Sequence, residues 1–138
     1  MSRVISQYGP GNERKNLSNA IVAGIRQLVK QEKFDIDDIE SKDIISFTIL
    51  SLEEISKSVE RSVAAWEKRN YWIKADRFRL EWAWALKCAQ TLRSSYAGND
   101  LTGIIQVITE VGSNLNGIKI SDRNRIGTPW KGFRKRLN

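Results

Sequence analysis

Apolar residues recur at Leu17, Ala20, Ile21, Gly24, Ile25, Leu28 and Val29, three or four apart, which places them in one stripe along a helix. The stripe predicts a first helix from about Glu13 to Lys33, entered from the turn-forming stretch YGPGN, Tyr8 to Asn12. DIDDIESKD, Asp35 to Asp43, is acidic and rich in capping residues, and reads as a connection leading into another helix at Ser41. From there Ile45, Ile49, Leu52, Val59, Val63 and Trp66 keep a seven-residue rhythm, while Ser51 and Glu54 have the form of a capping box. One long helix or two shorter ones satisfy that pattern. FTIL (Phe47 to Leu50) has strand character, but no convincing second strand exists for it to pair with.

Ala75, Phe78, Trp82, Ala85, Ala89, Leu92 and Tyr96 define the next helix, with Gly98 placed for a left-handed C-terminal cap. Asp100 caps a last helix with the stripe Leu101, Ile104, Ile105, Ile108 and Val111, ending near Gly112. No Gly or Pro lies between Trp66 and Ile73, so the two helices flanking that stretch either join into one rod or turn around Asn70. The expectation is an all-α protein, a compact bundle of four to five helices with a basic C-terminal segment. It forms a single domain: an N-terminal arm over residues 1–12, the bundle over 13–113, and an aromatic, basic segment over 118–138.

At 138 residues, 41% hydrophobic and 28% charged, the chain has the size and balance of one autonomously folding core. Apolar runs are short and no secretory pattern precedes the first helix, so neither a membrane partner nor export is expected. A single Cys and no His exclude an internal disulfide and the usual zinc ligand sets, which fits a reducing, cytoplasmic setting. The net charge of +7 is unevenly placed: −1 over Met1 to Ala65, +4 over Trp66 to Tyr96, −2 over Ala97 to Ile118 and +6 over Lys119 to Asn138. Charge concentrated in this way encodes an anion-binding surface.

Catalysis has little to work with. The commonest general base is missing, and Cys88 lies inside a helix without a His to activate it. An inert, buried thiol is the expectation for Cys88. Asp35, Asp37, Asp38, Glu40 and Asp43 lack the turn glycine and terminal Glu of a calcium loop, and helix capping accounts for them. YGPGN and GTPWKG match no phosphate-cradling loop. No enzyme activity, metal or cofactor is expected.

Binding remains. Opposite its main stripe the third helix carries Ile73, Leu80 and Trp84, ringed by Lys68, Arg69, Lys74 and Arg77. That second face either packs inside the bundle or meets a partner, protein or nucleic acid. In the C-terminal segment Arg123, Arg125, Lys131, Arg134, Lys135 and Arg136 alternate with Ile126, Trp130 and Phe133. Trp130 and Phe133 are expected to anchor the segment while its cations face outward to phosphates. Contacts to the nucleic-acid backbone, without base readout, fit the absence of helix-turn-helix, zinc-finger and RNP patterns.

The stretch AAWEKRNYWIKADRFRLEWAWALKCAQTLR, followed by a basic aromatic C-terminus in a small helical chain, resembles the small subunits of CRISPR interference complexes, those of type I-D and type III above all. The resemblance covers mainly the second half of the chain and rests on no diagnostic motif. It implies a non-catalytic subunit, in several copies, packed along the backbone and large subunits of a guide-RNA complex. There a positive surface would hold target or displaced DNA or target RNA and stabilise the guide-target duplex and R-loop. That role would fall on Lys68, Arg69, Lys74, Arg77, Arg79, Arg123, Arg125, Lys131, Arg134, Lys135 and Arg136, with Ile73, Leu80 and Trp84 toward a protein neighbour. The competing expectation is a helical protein-interaction adaptor whose two-faced helix over about 73–96 contacts no nucleic acid. A membrane-surface role is weaker still, because the tail has no long apolar face.

Overall fold

The computed structural model describes residues 9–119 and 126–137. It is an all-α bundle of four helices: α1 (Pro10–Val29), α2 (Ile39–Lys68), α3 (Trp72–Ala97) and α4 (Leu101–Asn114), followed by a 3-10 turn at Phe133–Lys135. No strand occurs among the described residues, and FTIL lies in the middle of α2. Nor is any described helix long and apolar enough to cross a membrane.

Local chemistry sets most of the helix ends. Pro10 at the first turn of α1 has no amide to leave unbonded, and Glu13 sits where the helix dipole favours a carboxylate. Helix α1 stops at Val29, short of the expected Lys33. Helix α2 begins at Ile39, ahead of the expected Ser41, and Asp38 caps it, accepting from the Ser41 amide at 3.0 Å. Asp100 caps α4 as expected, accepting from the Gly103 amide at 3.0 Å.

Three sequence expectations give way to tertiary context. Helix α2 runs unbroken for 30 residues, and Ser51 is buried inside it, so no capping box forms with Glu54. The left-handed residue after α3 is Asn99 (φ 53), while Gly98 keeps a negative φ of −89. In α4 the buried residues are Ile104, Val107 and Val111, and Leu101 and Ile105 are exposed because the helix covers α3 with a narrow stripe. Helices α2 and α3 do not merge: Asn70 takes φ 65, a conformation Asn tolerates better than most residues, and reverses the chain.

Helix α2 is the spine, about 45 Å long. Helices α1 and α3 run antiparallel to it, and α4 lies mainly on α3. Near one end of the molecule all four helices enclose a core that includes Ile21, Ile44, Ile45, Ile49, Leu52, Ala89, Leu92, Ile104 and Val111. Beyond it the α2–α3 hairpin is held by a second, smaller cluster of Val59, Val63 and Ala75 with Trp66, Phe78 and Trp82. The start of α1 braces this arm. Arg61 grips Glu13, Arg14 donates to the Ser58 carbonyl at 3.1 Å and the Ser62 hydroxyl at 3.0 Å, and the Arg14 guanidinium lies 4.7 Å from the Phe78 ring centre.

The C-terminal segment straps across the opposite end. Trp130 is 4% exposed, its ring lying over Gly24 where α1 has no side chain, and its indole N–H donates to Glu40 at 3.3 Å. Phe133 meets Phe47 edge to face at 4.8 Å. Gly132 adopts φ 83, and the turn it makes aims the amides of Gly132 and Arg134 at one Asp43 carboxylate, at 3.0 and 2.9 Å. Successive amides converging in this way form an anion cradle, and here a side chain of the same chain fills it.

Candidate nucleic-acid interface

The expected binding residues separate into two groups. Lys68 and Arg69 close α2, and Lys74 and Arg77 occupy the first two turns of α3, so all four surround the hairpin tip and all four are exposed. Lys131, Arg134, Lys135 and Arg136 belong to the stretch docked at the other end, where Arg134 meets Asp43. From Asp43 to Lys68 is about 37 Å along α2. Arg123 and Arg125 lie outside the described residues.

At the tip the charges stay available. Lys68, Arg69 and Arg77 have no ion-pair partner among the described residues, and the Lys74 ammonium rests 4.4 Å over the Trp66 ring while remaining exposed. The nearby carboxylates Glu60, Glu67 and Asp76 are taken up by a single residue, Arg79, at 3.5, 2.9 and 3.6 Å. Arg79 therefore departs from the expected outward role: it bridges the acids Glu60, Glu67 and Asp76, although its single charge offsets only part of theirs, and Lys68, Arg69, Lys74 and Arg77 are left without a direct ion pair among the described residues. No acidic residue occupies the first turn of α3, and no side chain caps its free amides, which adds to the positive potential there.

At the opposite end the balance differs. Arg134, expected to face phosphates, turns inward and pairs with Asp43 at 3.1 Å. The Arg136 guanidinium covers the Phe133 ring at 4.4 Å, and Lys131 and Lys135 are exposed without ion-pair partners among the described residues. Of these cations only Arg134 meets a carboxylate among the described residues, that of Asp43 in the first turns of α2 on which the segment docks. Arg134 is thus committed to the fold, and the tip holds the larger group of exposed cations without an ion pair among the described residues.

The face expected to meet a protein is partly open. Ile73 and Leu80 are 71% and 78% exposed, whereas Trp84 is half-buried and stacked on Trp82 at 5.7 Å. Sequence reasoning passed over Tyr71 and Trp72, which are more than half exposed between Arg69 and Lys74 and line a shallow open depression with Asn70, Ile73 and Lys74. The available signal was two adjacent aromatic residues at a helix junction flanked by basic ones. Asp43 and Glu40 were read as capping acids, and their partners in the C-terminal segment could not be seen locally.

No reactive group emerges among the described residues. Cys88 is buried and donates to Glu110 at 3.4 Å, and burial first, then the Glu110 carboxylate, pushes its thiol up to about 12. Thiolate is the nucleophile, so the native protein should resist a thiol reagent at pH 8 and react only as fast as it opens, with rapid labelling once denatured. Rapid labelling in native buffer would contradict the burial. No cluster of three His, Cys, Asp or Glu suited to a metal exists among the described residues. Comparison with protein-family models, curated proteins and solved structures gives no match.

Proposed function

We propose that this chain is a non-catalytic subunit that binds the phosphate backbone of nucleic acid through the α2–α3 hairpin tip. One observation carries the reading: Lys68, Arg69, Lys74 and Arg77 are exposed around a braced turn and make no ion pair among the described residues, while Glu60, Glu67 and Asp76 are drawn to Arg79. A rigid cationic turn meets a polyanion with little ordering cost and releases the counterions condensed on it. The resemblance of the Trp66 to Arg93 stretch to CRISPR small subunits supplies the setting. In it the chain holds target or displaced DNA strand beside a guide RNA, in contact with backbone and large subunits and further copies of itself, and tips a nearly balanced R-loop exchange toward the open state.

The reading is tested by fluorescence anisotropy with 20-nucleotide single-stranded DNA and RNA across a salt series. Four phosphate contacts give a log–log slope of about −2.8. The Lys68→Glu, Arg69→Glu double variant should weaken binding by about ten- to a hundredfold and flatten the slope by about 1.4. Reversing Lys131 and Lys135 instead should do less, since they belong to the segment docked at the opposite end of α2 from the tip. A salt-independent response, or equal affinities for parent and double variant, would overturn the reading. It would favour the adaptor, for which the exposed Ile73 and Leu80 are the specific observation. Recovery of a guide-length RNA with the protein from cells tests the proposed setting separately.

A further inference from the structure

The same tip carries an aromatic surface that phosphate binding leaves unused. Of the five tryptophans, Trp130 is buried and Trp66, Trp82 and Trp84 are half-buried against neighbouring rings or the core, whereas Trp72 is 55% exposed. Tyr71 beside it is 53% exposed. Both belong to the turn and first residue of α3, and neither enters the Val59–Val63–Ala75 cluster that holds the arm together. Folding therefore does not account for a large apolar ring at this position.

We infer that Trp72, with Tyr71 at its side, is a stacking platform for an unpaired base, so that the tip selects single-stranded over duplex nucleic acid. The inference rests on the phosphate-binding reading and deepens it. The occupant follows from the surroundings. An apolar protein partner favours an interface centre depleted of charge, whereas these rings lie among Lys68, Arg69, Lys74 and Arg77, and the neighbouring acids Glu67 and Asp76 are turned to Arg79. A polyanion that also presents flat apolar faces satisfies both features. Bases in a duplex are stacked on one another and closed to a side chain at a turn between helices, while a single strand can splay a base onto the indole as its phosphates lie on the cations. Lys74, steadied on Trp66, and the stiff hairpin below hold ring and cations in a fixed relation.

Binding of oligo(dT), oligo(U) and a 20-base-pair duplex to the parent chain, Trp72→Ala and Trp72→Phe distinguishes the outcomes. Trp72→Ala should weaken both single strands by about tenfold or more, leave duplex affinity within about twofold, and keep the salt slope, because stacking releases no counterions. Trp72→Phe should retain most of the single-strand affinity. Tryptophan fluorescence quenched on oligo(dT) binding to the parent should be largely absent in Trp72→Phe. An unchanged melting temperature for Trp72→Ala shows that any loss is not unfolding. If Trp72→Ala binds single strands like the parent, or loses duplex equally, the stacking role is overturned while the cationic tip stands. If the parent binds neither form, phosphate binding itself fails and this inference with it.

Discussion

Alanine at Trp130 should lower the unfolding free energy by about 3–5 kcal/mol, the range for truncating a buried tryptophan. In a domain of this size that is a melting midpoint roughly 10–20 °C lower. The indole is 4% exposed and fills the space over Gly24, where an added Cβ would stand 3.5 Å from the ring. It also satisfies Glu40, so truncation removes packing and a hydrogen bond together. Trp130→Phe keeps much of the packing and should cost about 1–2 kcal/mol, mostly for the lost hydrogen bond, since Glu40 is half-buried and still accepts from Gln27 at 3.3 Å. Urea unfolding followed by circular dichroism measures both. A Trp130→Ala protein as stable as the parent would mean that the C-terminal segment does not hold the bundle.

The second large effect concerns Asp43, the acid inside the cradle. Asp43→Ala should destabilise the protein by about 3 kcal/mol, the low end for breaking a buried ion pair, because Arg134 at 29% exposure can regain some water. The amides of Gly132 and Arg134 lose their acceptor at the same time. Asp43 also gives this stabilisation a pH signature. Burial works to raise its pKa, but the two amides and the Arg134 guanidinium outweigh burial and hold the carboxyl below the usual carboxylate range. With the folded pKa below the unfolded one, the contribution is fully present above the unfolded value, about 4, and is lost as pH falls through the folded value. Unfolding free energies measured from pH 6 to pH 2 should therefore fall less steeply in Asp43→Asn than in the parent. Identical slopes would remove Asp43 from the acid response.

Both effects bear on what the C-terminal residues do. The last seventeen residues, with six cations, a Trp and a Phe, read as something that grips. Their described part grips the protein itself: Trp130, Phe133 and Arg134 are committed to α1 and α2, and its backbone anion site already holds a carboxylate. The hairpin tip has the reverse arrangement, with exposed rings among cations that form no ion pair among the described residues. In the proposed complex the strap maintains the body while the tip meets the strand.

What the amino-acid order determined by itself is what depends on near neighbours. The apolar repeats of α1, α2 and α3, the cap at Asp100 and the inert thiol at Cys88 follow from spacing of three to seven residues and from residue type, so an all-helical bundle was legible without coordinates. The partition of charge along the chain was legible for the same reason. Which charges stay open was decided only by the fold. Arg134 and Asp43 are 91 positions apart, and Arg79 meets Glu67 only because Asn70 turns the chain back. Burial and ion pairing depend on distance through space, and a helical repeat carries no record of which distant side chain will arrive at 3 Å.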